Sequence, residues 1–377
     1  MSASRSTVAV GPSAGLAGGG DGIACGEEVS GALWDPSLMA GKARPGYLGP
    51  PGGAARQIPV PGGTVLPRLL EGGGLPGASM TDIHALPPTM GQLSLGKVGI
   101  TGIRKPLVIQ RPERTHTLSA GFEVYVDLPA LRKGSDLSRN AQVLAEVVDE
   151  TVHRPARSLE SACLAIAREL LPRHPYAREA EVRVEAEYFR PRGIREDRVS
   201  LENFTLLAAA WARRTPSGVE VQKAVGAEAM GMTACPCAME TCRARLEAEF
   251  PLLRDAQFAA MPIITHNQRN RSRLLLTLEE EAEVEADELL DILEGAQSSP
   301  TYAILKRGDE GQVVLDAHRR PRFVEDVVRA ALSLLAERFP QLPDTTGVEV
   351  ATRSEESIHK YDVRAEHRST LGALRRE

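Results

Sequence analysis

Apolar and polar residues fall into clear periods from about residue 96 onward. Phe122, Val124, Val126 and Leu128 alternate with Glu123, Tyr125 and Asp127, the pattern of a strand with one buried face. Leu137, Ala141, Leu144, Val148 and Val152 then recur at helical spacing. Leu159, Cys163, Ile166 and Leu170 mark a second helix, which Pro172 is expected to stop. Val182, Val184, Ala186 and Tyr188 alternate again, and another apolar strand covers 203–213. The first half therefore reads strand, strand, helix, helix, strand, strand. The second half repeats the order less cleanly. It reads as a strand near 219–232, a helical insertion over 240–250, a strand at 273–284 and a helix at 286–293. A longer helix over 322–338 follows, with Pro321 in its first turn, then strands near 347–352 and 357–364.

Two ββααββ-like halves predict an α+β architecture, an antiparallel sheet backed by helices. Modules of 80–216 and 217–377 follow, the second carrying the candidate chemistry. Short antiparallel sheets leave open edges, and pairing them around a ring is one way to remove edges. Residues 1–79 show no such period. They hold 19 of the chain's 34 glycines, so ordering them would cost entropy with little burial in return, and they are expected to be disordered.

Composition narrows the class. A 42% apolar content in 377 residues supports a substantial core, and a formal charge of −5 without a basic block gives no support for nucleic-acid binding. Five cysteines, three of them at positions 235, 237 and 242, are not a disulfide framework. They fit a reducing compartment in which thiols serve metal or catalysis. With no apolar run long enough to span a membrane and no signal-peptide pattern, the expectation is a cytoplasmic protein.

Five short motifs carry the candidate chemistry: Ala234-Cys235-Pro236-Cys237-Ala238, Thr265-His266-Asn267-Gln268-Arg269, Lys306-Arg307-Gly308-Asp309-Glu310, Phe323-Val324-Glu325-Asp326 and Glu356-Ser357-Ile358-His359. A thiolate and an imidazole are a natural start for a divalent-metal site. Because Cys235 and Cys237 flank a proline, their segment is expected to be extended or turned rather than helical. Taken singly, each motif has a plainer reading. The cysteines can be buried or redox thiols, His266 an ordinary polar histidine, and Glu310 and Glu325 solvated carboxylates.

Taken together and in this order, the motifs resemble those of the type IB GTP cyclohydrolases, most closely their archaeal-type branch. The resemblance covers roughly residues 80–370. It implies the tunnelling fold, with two modules per chain and a homotetramer whose sites lie at subunit interfaces. It implies Cys235, His266 and Glu310 as metal ligands, with iron(II) favoured and zinc or manganese as alternatives. Glu325 would anchor the purine of GTP or a related nucleotide. His359 would transfer protons, with Cys237 assisting, and Arg269, Lys306 and Arg139 would meet the phosphates. The implied reaction opens the guanine imidazole ring at C8, releases formate and yields a dihydroneopterin phosphate for pterin or folate-type biosynthesis.

One position departs from the family. Its Lys-Gly-x-His-Met-Ser-Arg stretch reads Lys133-Gly134-Ser135-Asp136-Leu137-Ser138-Arg139 here, with aspartate where the histidine is expected. Aspartate suits a helix N-cap, but an anion there would repel a phosphate. Two alternatives follow: a paralogue acting on another purine nucleotide, and a non-catalytic protein of the same fold whose metal is closed by Cys237 or Cys242.

Overall fold

The computed structural model describes residues 81–111 and 115–376. The expectation of disorder over 1–79 lies outside them. The chain runs β1 (Leu95–Gln110), β2 (Thr115–Leu128), α1 (Leu137–His153), α2 (Leu159–Arg173), β3 (Glu179–Arg195) and β4 (Arg198–Thr215). It continues with β5 (Gly218–Ala234), α3 (Pro236–Glu249), α4 (Ala256–Ala259), β6 (Asn267–Leu278), α5 (Ala286–Ala296) and the two-residue β7 (Ser299–Pro300). Then come α6 (Arg307–Arg319), α7 (Val324–Arg338), β8 (Gly347–Ser354), β9 (Val363–Thr370) and the short α8 (Leu371–Leu374).

The strands form one antiparallel sheet in the order β1-β2-β3-β4-β5-β6-β8-β9, with β7 added to β5. This is the α+β architecture, an antiparallel sheet with helices, expected from the sequence. A tight turn through Pro216 and Ser217 joins the halves, and Gly218 takes it up in a left-handed conformation (φ 141°) that other residues rarely adopt.

The alternation determines which face is covered. Phe122 and Val124 pair with Val184 and Val182, and all four are buried beneath α1 and α2. Alanines at 208, 210 and 212 on β4 keep that part of the sheet low where α2 crosses it. In the second half, Leu274 and Leu276 of β6 and Val350 of β8 meet Leu289 and Leu293 of α5 and Val327 and Leu335 of α7. The opposite face carries charge in pairs. Arg273 reaches Glu228 at 2.9 Å and Glu185 at 3.3 Å, and Lys97 reaches Glu181 at 2.6 Å. One face apolar and the other ionic is how an antiparallel sheet remains stable with helices on a single side.

Several boundaries differ from expectation. α2 runs through Pro172 to Arg173, because a proline in the last turn removes few helical hydrogen bonds. β6 starts at Asn267, six residues early, since β5 offers it a ladder down to Ala234. The final strand starts at Val363, leaving 355–362 as a loop. α7 starts at Val324, with Pro321 before it. The helix α6 has no counterpart in the sequence reading. Its few buried positions, Asp309, Val313, Ala317 and His318, make a weak apolar stripe.

β4 and β5 stay paired only as far as Thr205 opposite Glu228. Beyond that pair, β4 continues with β3 to a hairpin tip and β5 continues with β6 toward Cys235. The two strands part around a cleft of about 370 Å³, lined by Glu202, Met230, Arg271, Glu294 and Tyr302 among others. The chain around 301–303 closes it: Thr301 Oγ1 donates to the Met230 carbonyl at 3.2 Å, and the Ala303 amide donates to Glu202 at 2.8 Å.

Candidate active site

Cys235 and His266 lie thirty-one positions apart in sequence but side by side in the fold. The β5–β6 ladder closes at Ala234 opposite Asn267, and the Cys235 amide then donates to the His266 carbonyl at 3.4 Å. The segment around Cys235 is not extended throughout, as the proline had suggested. Cys235 is extended at the N-cap of α3, Pro236 takes the first helical position and Cys237 falls in the first turn. Proline suits that position because its missing N–H would have had no helical partner. The Cys235 thiol accepts from the Ala238 amide at 3.4 Å and is partly buried, whereas Cys237 and Cys242 are exposed.

The period of two along β6 carries the site into the core. Gln268, Asn270 and Ser272 face the helices; Arg269, Arg271 and Arg273 face the charged side. Glu356 is the residue the sequence reading passed over. Its carboxylate stands 4.0 Å from His266 Nε2, and the two side chains are only 11% and 14% exposed. Gln268 Nε2 donates to Glu356 at 3.1 Å and to Thr233 Oγ1 at 3.1 Å, and the Thr233 hydroxyl is 3.0 Å from that of Ser354. Beneath them, Asn270 Nδ2 donates to Gln297 and Thr352, each at 2.7 Å, and Gln297 donates to Ser272 at 2.8 Å. A buried polar network bonded at this many points holds its members in one arrangement, with Gln268 Oε1 the one atom of it left without a partner. The signal for Glu356 was its place in the same motif as His359, two residues past the end of β8, the strand that neighbours β6.

The α6–α7 junction braces the same end of the sheet. His318 is buried; its Nδ1 lies 2.7 Å from the Val314 carbonyl, and the Thr265 amide donates to its Nε2 at 3.1 Å. The Val314 carbonyl can only accept, so Nδ1 carries a proton; Nε2 also lies 3.2 Å from the Thr265 carbonyl. The Arg322 amide donates to the Ala234 carbonyl at 3.2 Å, directly before Cys235.

The other candidates stand around this centre. Glu310 is exposed in the first turn of α6, and its neighbour Asp309 is buried. Burial opposes ionisation of Asp309. The Lys306 amide and the Arg198 and Arg195 guanidiniums outweigh it and hold the carboxyl below its ordinary range. Lys306, at the N-cap of α6, and Arg307 are exposed, as is Glu325 in the first turn of α7. His359 is exposed in the 355–362 loop and stacks on Tyr361, with ring centroids 4.9 Å apart. Arg269 lies across the sheet from Gln268 and pairs with Glu355 at 3.4 Å. Among the described residues, Cys235, His266 and Glu310 do not bring three donor atoms within 4.8 Å of one another. What the single chain brings together is the Cys235 and His266 backbones, and separately the His266 ring and the Glu356 carboxylate.

Asp136 occupies the N-cap position of α1 but makes no capping bond. Arg132 donates to its carboxylate at 3.0 Å, Arg139 lies at 3.2 Å and His84 at 3.5 Å. Arg139 also donates to the Arg173 carbonyl at 2.7 Å. The aspartate therefore occupies one of the guanidiniums expected to meet phosphate.

A family model described as type I GTP cyclohydrolase folE2 matches residues 80–365. The chain belongs to the type I GTP cyclohydrolase family. The GTP cyclohydrolase MptA of Methanothermobacter thermautotrophicus is 38% identical to it over 290 residues, 75% of this chain and 91% of that protein. The MptA of Methanoregula boonei is 37% identical over 306 residues, 79% and 94% of the two chains. Among solved structures, a uricase from Arthrobacter globiformis aligns at 10% identity with a TM-score of 0.39, covering 75% of this chain and 94% of that one. Type I GTP cyclohydrolases are enzymes, so the cluster at the end of β5 and β6 is a candidate active site. No helix among the described residues is long and apolar enough to cross a membrane.

Proposed function

We propose that the protein is a cytoplasmic, metal-dependent GTP cyclohydrolase that opens the guanine imidazole ring at C8, releases formate and forms a dihydroneopterin phosphate. The observation that carries this reading is the pairing of the Cys235 and His266 backbones at the end of one ladder, with the Glu356 carboxylate 4.0 Å from the His266 ring. Sulfur, nitrogen and oxygen donors fit a borderline divalent ion, and Cys235, His266 and Glu310 would hold it. Iron(II) is the favoured ion, with zinc or manganese as alternatives. When bound, it supplies a Lewis acid that makes hydroxide available near neutral pH.

The chain's own groups do the rest. Glu356 orients the His266 ring through its contact with Nε2, and Gln268 fixes Glu356. Glu325 accepts two hydrogen bonds from the N1–H and 2-amino edge of guanine, and a base lacking those donors would leave it unpaired. His359 moves protons as the ring opens, with Cys237 assisting. Arg269, Lys306 and Arg139 meet the phosphates. Several of these side chains are exposed in one chain, and β1 and β9 each pair on one side only among the described residues. Both facts support a homotetramer in which a neighbouring copy completes each site.

The test is incubation with GTP and iron(II) or manganese under anaerobic conditions, followed by oxidation. Pterin fluorescence and stoichiometric formate are expected, and mass analysis distinguishes a triphosphate product from a 2′,3′-cyclic phosphate. No fluorescence at full metal occupancy, or undiminished turnover in Cys235→Ala, overturns the proposal. The pairing of Arg139 with Asp136 favours a second reading, a paralogue acting on a different purine nucleotide. A competition panel of purine nucleotides separates the two.

A further inference from the structure

The β3–β4 hairpin belongs to the first half of the chain, yet its tip grips the second. The hairpin turns through Glu196 and Asp197, and the last pair before the turn is Arg195 opposite Arg198, after a register shift between Gly193 and Arg195. Gly193 is what allows this close return: a Cβ there would lie 2.1 Å from the Arg198 carbonyl oxygen. Both arginines converge on Asp309 in the first turn of α6. Arg198 Nη1 donates to Oδ2, and Arg195 Nε stands 3.4 Å from Oδ1. Asp309 is 1% exposed, and its Oδ2 also accepts from the Lys306 amide at 3.1 Å, closing the first turn of the helix.

A carboxylate buried that deeply is unfavourable without a counterion. Arg198, 22% exposed, is the more buried of the two, since Arg195 is 59% exposed. Glu310 follows Asp309 directly in the same turn, and Lys306 is the N-cap three residues before it. The hairpin tip thus fixes the segment that carries a candidate phosphate contact and a candidate metal ligand.

We propose that Arg198 is a positioning residue for the active site, acting through Asp309 to hold Lys306 and Glu310 in place. This rests on the reading of Glu310 as a metal ligand. Without Arg198, Asp309 loses its main partner and the first turn of α6 frays. Glu310 then samples orientations that do not bind metal, and Lys306 meets the nucleotide phosphates less often.

The experiment measures metal affinity by competition with a chromophoric chelator, alongside the KM for GTP. It compares the full chain with Arg198→Ala, Arg198→Lys, Glu310→Ala and the double variant Arg198→Ala/Asp309→Asn, at a temperature where circular dichroism shows each to be native. Arg198→Ala is expected to weaken metal binding about 10- to 100-fold and to raise KM. Arg198→Lys restores most of the affinity, and the double variant is no weaker than Arg198→Ala alone. Unchanged metal affinity in Glu310→Ala overturns the reading of the site itself. Weakened affinity in Glu310→Ala with wild-type affinity in both Arg198 variants overturns the positioning role alone.

Discussion

Replacing His318 with alanine tests whether the α6–α7 junction holds the site. The imidazole sits in the core with two hydrogen bonds, one to the Val314 carbonyl at 2.7 Å and one from the Thr265 amide at 3.1 Å. Each buried bond contributes about 1 kcal/mol net, and leaving the Thr265 N–H without a partner adds desolvation cost. Removing the ring also leaves a partly collapsed void. Together these give a loss of about 3 kcal/mol. Urea unfolding followed by circular dichroism measures it, and an unchanged m-value shows that the native state is otherwise intact. Because Thr265 is bonded to His266, the same change should weaken metal binding about tenfold in a chelator competition. A loss below about 1 kcal/mol refutes the two hydrogen bonds as stabilising contacts. The full loss with wild-type metal affinity refutes the link from His318 to His266.

Three further outcomes are expected. Native alkylation should modify the exposed Cys237 and Cys242 quickly. Cys163 should react only after denaturation, because burial pushes its thiol well above the ordinary range. Metal loading should protect Cys235 and leave Cys237 reactive, and protection of Cys237 read by peptide mass analysis would make it a ligand instead. Glu325→Gln should lower kcat/KM for GTP about 100-fold or more through the loss of charge-assisted hydrogen bonds; unchanged kinetics would remove Glu325 from the purine site. Burial raises the Glu160 carboxyl, only partly offset by the Ser158 hydrogen bond, its own backbone bond, Lys223 and Arg111. An acid raised in the fold contributes stability that is present below its unfolded pKa and lost as pH rises through the folded value. Glu160→Gln should therefore raise Tm at pH 7, with the gain shrinking as pH falls through the raised folded value and gone below about 4.3. A gain that does not vary with pH would refute the titration.

The apolar repeats foretold the strands and helices of the core because burial on one face imposes a period that the chain cannot hide. The alternation at 122–128 and the helical spacing at 159–170 both reappear as buried faces. α6 escaped because only Asp309, Val313, Ala317 and His318 are buried along it, and two of those four are polar. The proline between Cys235 and Cys237 misled for a local reason. It excludes a helix interior but suits a helix start, and only the chain that follows decides which applies.

The sequence by itself determined the α+β class, the two-part order and the set of motifs, because these depend on residue type and spacing. Only the tertiary structure decided which residues meet. It joined Cys235 to His266 through a ladder that closes a thirty-one-residue excursion, and it put Glu356 against the imidazole. It gave Arg139 to Asp136, and it brought a hairpin from the first half onto Asp309 in the second. Strand register and helix docking are long-range properties, fixed when the whole sheet buries its apolar face, so no local pattern along the chain records them.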